Sequence, residues 1–81
     1  MTTGIVELDL HGCTVYQAEV AVEAALRRAK AGTYRLRLIH GHNRGTELQQ
    51  ALRKKYRKHP QVLRLELGIN PGVTDLVLRE F

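Results

Sequence analysis

The chain has 81 residues, 43% of them hydrophobic and 26% charged; that is enough for one small globular domain spanning 1–81, too apolar for a disordered chain, and without a run long enough to cross a bilayer. Thirteen Lys and Arg against eight Asp and Glu give a formal net charge of +5, a balance that draws polyanions, nucleic acid above all, and that equally describes a soluble domain that is merely basic. The single cysteine, Cys13, excludes an internal disulfide framework and with four histidines makes no closed zinc pattern, while the lack of a charged-then-apolar leader in residues 1–15 makes the cytoplasm the expected location.

In chain order, Ile5 to Leu10 alternates, with Val6, Leu8 and Leu10 on one side and Glu7 and Asp9 on the other, which predicts a strand. After Gly12, Thr14 and Gln17 have the spacing of a capping box, and Ala18, Val22, Ala25, Leu26 and Ala29 recur at helical spacing up to a stop at Gly32. Tyr34 to His40 reads as a second strand, with Leu36 and Leu38 inward and Arg35 and Arg37 outward. The polar loop His40-Gly41-His42-Asn43-Arg44-Gly45-Thr46 leads into a second helix to about Lys58, with Leu48, Ala51, Leu52 and Tyr56 as its apolar stripe. Val62 to Leu67 predicts a third strand with Leu63, Leu65 and Leu67 inward. The breakers Asn70-Pro71-Gly72 precede a fourth, Thr74 to Arg79, with Leu76 and Leu78 inward and Asp75, Val77 and Arg79 outward.

The order β-α-β-α-β-β, with every strand apolar on one face and mostly charged on the other, predicts an α/β two-layer sandwich: a four-stranded mixed sheet with both helices on one face. Right-handed crossovers make the first three strands parallel and the fourth antiparallel. The loops after the first three strands then meet on one edge of the sheet, where both helix amino termini favour phosphate.

Asp9 and His11 share the polar face of the first strand, a spacing that serves an acid–base or orienting pair as well as a solvent-facing salt bridge. His40 ends the second strand on the core side. Gly41 and Gly45 permit close phosphate approach and Arg44 bidentate binding, although a tight strand-to-helix turn asks for the same glycines. No nucleotide-binding Lys-Ser/Thr loop is present. Arg53, Lys54, Lys55, Arg57 and Lys58 on the second helix form either a solvated face or a phosphate track. Tyr16, Tyr34, Tyr56 and Phe81 are too few for a base-stacking platform, which favours recognition of backbone or shape.

These residues resemble the Smr (small MutS-related) family over essentially the whole chain. Leu8-Asp9-Leu10-His11-Gly12 with Thr14 resembles its "LDLHG-x-T" opening. Ile39-His40-Gly41 with Gly45 resembles its "His-Gly-x-Gly-x-Gly" loop, with Asn43 at the middle glycine, a residue that also tolerates a left-handed turn. His59-Pro60 with Val62, and Pro71-Gly72-Val73-Thr74 with Leu76-Val77-Leu78, resemble the family's last two strands. The resemblance implies a fold like the carboxy-terminal domain of bacterial translation initiation factor three, with strand order 1-2-4-3. It also implies nucleic-acid binding and, in some members, cleavage of DNA or RNA, including messenger RNA on stalled ribosomes.

The expected function is nucleic-acid binding with endonuclease activity open, RNA slightly ahead of DNA and the ribosome a possible partner. Asp9, His11 and His40 are the catalytic expectations. Gly12, Thr14, Gly41, His42, Asn43, Arg44, Gly45, Arg53, Lys54 and Lys55 are the phosphate-binding ones. No metal ligand set is predicted: a divalent cation such as Mg or Mn would draw most of its oxygens from phosphate and water. The alternative is a non-catalytic adaptor that docks on a ribosome or a protein through the mixed-sign open face of the sheet, made of Glu7, Arg35, Arg37, Arg64, Glu66, Asp75 and Arg79.

Overall fold

The computed structural model describes residues 4–41 and 46–80. Its elements are β1 (Ile5–Asp9), α1 (Val15–Arg28), β2 (Arg35–Ile39), α2 (Glu47–Tyr56), β3 (Arg64–Glu66) and β4 (Val73–Val77). The sheet order is β1-β2-β4-β3, with β1 and β2 parallel and β4 antiparallel to both its neighbours. β3 therefore points the same way as β1 and β2, as two helical crossover connections allow. No helix of the described residues is long and apolar enough to cross a membrane.

Local signals start α1 where the sequence places it. The Gln17 N–H donates to Thr14 Oγ1 (3.1 Å) and the Thr14 N–H donates to Gln17 Oε1 (3.0 Å), a reciprocal cap whose loss costs about 1 kcal/mol. Ala18, Val22 and Leu26, spaced by four, are fully buried against the sheet's Leu36, Leu38 and Leu76 and against Leu52 and Tyr56 of α2. The helix ends at Arg28, before Gly32, because Ala29 turns to extended backbone. Gln61 then donates to the Leu26 carbonyl (3.2 Å), satisfying one of the orphan acceptors at that end. Gly4, at φ +83°, lets β1 lie against the turn before β2. A Cβ there would fall 2.5 Å from the Tyr34 ring and 2.7 Å from the Gly32 carbonyl.

One expectation about strand faces is corrected, and one face is more buried than its charge suggests. β3 pairs over three residues only. Leu65, opposite Leu76, packs on the core, but Leu63 and Leu67 stay 59% and 53% exposed. Both were read as inward; they lie at the ends of an edge strand that the helical layer does not reach. Asp75 and Val77 do lie on the outward face, opposite Arg37 and Arg35, yet are only 7% and 2% exposed. Val77 sits between Arg35 and Arg64 across the ladder, and arginine stems cover apolar surface readily.

Asp75 is buried by its ion pairs. Arg35 reaches it at 2.7 Å and Arg37 at 3.0 and 3.1 Å. Burial opposes its ionisation, but Arg37 and Arg35 outweigh that, so its carboxyl sits below the usual aspartate range. Arg35 also pairs with Glu66 (2.7 Å), Arg37 with Glu7 (3.9 Å), and Arg64 with Glu66 (2.8 Å) and Glu80. The charges of the open face are thus largely committed to one another.

Candidate functional site

The loops following β1 and β2 and the turn before β4 meet on one rim of the sheet. β1 ends with the Leu10 N–H donating to the Ile39 carbonyl (2.8 Å), and Gly12, at φ +80°, turns the chain into α1. Next to it, Gly41 (φ +75°) comes so near that a Cβ on it would lie 3.8 Å from the Cβ of His11. The Gly72 carbonyl accepts both the His40 N–H (2.9 Å) and the Gly41 N–H (3.0 Å). An added Cβ on Gly72 would be 3.1 Å from Gly41 Cα, so the strands' connections touch backbone to backbone. Asn70 shapes that turn by accepting the Gly72 N–H on Oδ1 (2.8 Å), and Gln49 of α2 donates to the Pro71 carbonyl (2.8 Å).

On this rim Asp9 and His11 form a pair. His11 Nδ1 and its backbone N–H (3.3 Å) both bond Asp9 Oδ1. Those bonds, side chain first and backbone second, hold the Asp9 carboxyl below its usual range. A carboxylate only accepts, so Nδ1 carries the hydrogen and Nε2 is the basic nitrogen of the neutral ring. Both side chains are well exposed, at 62% for Asp9 and 73% for His11. The pair is open to a polymeric ligand.

His40 is placed differently: it is 5% exposed and fully engaged. Its Nδ1 lies 2.8 Å from the Gly41 carbonyl, and its Nε2 lies 2.8 Å from Thr74 Oγ1, which also accepts Arg53 Nε–H (2.9 Å). A carbonyl cannot donate, so Nδ1 does; Thr74, having accepted from Arg53, gives its hydrogen to Nε2. The chain of bonds from Arg53 through Thr74 and His40 to Gly41 ties α2, β4 and the glycine loop together.

The remaining predicted positions divide. Gly12 faces open space and Thr14 spends its hydroxyl on the α1 cap. Arg53 reaches the rim through Thr74, and Lys54 is exposed. Lys55 does not belong with them: its ammonium lies 3.4 Å from Glu19 and 4.0 Å from Glu23 on α1, and over the Tyr56 ring. His42, Asn43, Arg44 and Gly45 lie outside the described residues. Thr74 was not anticipated as a site residue, although a signal for it existed. It shares parity with Leu76 and Leu78, and a hydroxyl on a core face needs a polar partner there. Among the described residues no three His, Cys, Asp or Glu side chains converge as a metal site would require.

Fold and rim together define a small two-layer α/β domain with a polar, glycine-lined edge carrying an exposed aspartate–histidine pair. The chain belongs to the Smr domain family, whose sequence profile it matches over residues 8–71. It is 44% identical over 57 residues to Endonuclease MutS2 of Thermus thermophilus, a match covering 69% of this chain and 8% of that protein's length. It also superposes on the crystal structure of the Smr domain of Thermus thermophilus MutS2 with a TM-score of 0.82 and 36% identity, covering 93% of this chain and 99% of that one.

Proposed function

We propose that the domain binds the sugar–phosphate backbone of nucleic acid along this rim and cleaves it with the Asp9–His11 pair. The observation that carries the reading is that pair, exposed and oriented, with His11 beside the positive-φ Gly41, whose lack of a side chain leaves room at the rim. The relative's name, an endonuclease, agrees with it.

In this reading His11 Nε2 takes a proton from water or from a ribose hydroxyl. The oxygen so activated attacks phosphorus, and the bond to the leaving oxygen breaks as that oxygen is protonated. Asp9 holds the ring in the tautomer that leaves Nε2 basic and stabilises the imidazolium that forms. His40 is a positioning residue, since its ring nitrogens are occupied by Gly41 and Thr74. A Mg or Mn ion at the rim would be held by Asp9, whose Oδ1 is already shared with His11, and would take its other oxygens from phosphate and water.

The test is cleavage of end-labelled RNA and DNA, run side by side, by the wild-type domain and by Asp9→Ala and His11→Ala. Cleavage lost in both variants while binding persists supports the reading. Cleavage surviving in His11→Ala sinks the catalytic assignment. A non-catalytic adaptor is the second reading, favoured by the exposed Leu63, Leu67 and Ile69 along the β3 edge; binding by the wild-type domain without any cleavage would support it.

A further inference from the structure

The net charge of +5 is not carried by the open face of the sheet. The ion pairs there join three arginines, Arg35, Arg37 and Arg64, to four carboxylates, Glu7, Glu66, Asp75 and Glu80. Much of the surplus lies where the two helices end. Arg27 and Arg28 occupy the last turn of α1, Lys30 follows it, Arg57 caps α2 and Lys58 follows that. All five are exposed, and none makes an ion pair with a described residue.

The two helix ends are held side by side. Gln61 donates to the Leu26 carbonyl (3.2 Å), and the Tyr56 hydroxyl donates to Glu23 Oε2 (2.9 Å). The carboxylates nearest this pole, Glu19 and Glu23, are taken up by Lys55, Tyr56 and His59. Cations are favoured at helix carboxyl ends by the dipole alone, but two such ends amount to roughly one negative charge. Five cations exceed that several-fold, so the pole is net positive.

We infer that this pole is a second phosphate-backbone contact, gripping nucleic acid whose neighbouring stretch lies at the rim. The inference rests on the nucleic-acid reading above and adds where on the surface affinity is made. α1 has 14 residues, so its ends are about 20 Å apart; a strand of several nucleotides laid along the helical layer reaches from His11 to Arg28. The rim holds the reacting phosphate and the pole holds the chain.

The test uses the full 81-residue domain, labelled with nitrogen-15, and a single-stranded oligonucleotide long enough to span both ends. Titration is expected to shift amides of residues 27–30, 57–59 and 61 together with those of the rim. The combined variant Arg27→Gln, Arg28→Gln, Arg57→Gln, Lys58→Gln is expected to bind about tenfold more weakly or worse, with a log–log salt slope shallower by about 3. If wild-type shifts stay at the rim and the variant keeps its affinity and slope, the pole is wrong and the rim reading stands. If the wild-type domain binds no oligonucleotide, both fall. Should the combined variant fail to fold, the wild-type shift map alone decides.

Discussion

His40 Nε2 and Thr74 Oγ1 lie 2.8 Å apart, each at an end of a strand and both buried. Through this bond the fourth strand holds the ring of the histidine whose tautomer the Gly41 carbonyl fixes. The hydroxyl has two duties, because it also accepts from Arg53.

Thr74→Val should therefore remove two partners at once. Leaving buried polar groups unsatisfied costs about 1–3 kcal/mol. Urea unfolding should place Thr74→Val in that range and Thr74→Ser much closer to wild type. Nitrogen-15 shifts of the His40 ring should change at Nε2, which loses its donor in Thr74→Val. An unchanged ring spectrum would mean that Thr74 does not donate to His40.

Gly72→Ala tests the contact that joins the loops. The new Cβ would meet Gly41 Cα at 3.1 Å and Asn70 Oδ1 at 3.3 Å, an overpacking expected to cost about 1–3 kcal/mol. Since Gly41 abuts His11, the displacement should reach the Asp9–His11 pair, visible as a shift of the His11 amide and as reduced cleavage. A shift confined to residues 70–74 would show that the three loops move independently.

Acid should unfold the domain partly through Asp75. Its carboxyl is depressed below the reference 3.8 in the folded state, so the unfolded chain takes up that proton first as pH falls. The stabilisation is complete well above the unfolded value and is lost as pH drops through the lower folded one. The urea midpoint should thus fall steadily below about pH 5. In Asp75→Asn, less stable at neutral pH because Arg35 and Arg37 lose their buried carboxylate partner, the acid slope should be smaller. Equal slopes in the two proteins would remove Asp75 from the account.

Lys55→Gln separates charge from position. The ammonium faces Glu19 and Glu23 at a solvent-accessible, half-buried site, where ion pairs contribute about 0–1 kcal/mol. The substitution should change stability slightly and leave the salt slope of nucleic-acid binding unaltered. A slope reduced by about 1 would place Lys55 on the phosphate track after all.

The parts of the fold that could be read from the sequence are those governed by neighbours along the chain. Thr14 and Gln17 mark a helix start, Ala18, Val22 and Leu26 mark its buried stripe, and alternation in β1, β2 and β4 marks strands. The pairing of Asp9 with His11 is local too. What escaped depends on partners far along the chain. Asp75 reads as outward-facing and is buried, because Arg35 and Arg37, some forty residues away, enclose it. Leu63 and Leu67 read as core and are exposed, because alternation cannot tell an edge strand from a central one. Lys55 reads as one of a basic run, and only the α1–α2 packing turns it toward Glu19. Thr74 was legible as a core-side hydroxyl, but its partners were not.

Ile5, Arg35 and Val77 are aligned across the sheet, at the end remote from His11. The first and last strands of the domain therefore begin and finish together there. The described chain thus enters β1 and leaves β4 at the edge opposite the aspartate–histidine pair.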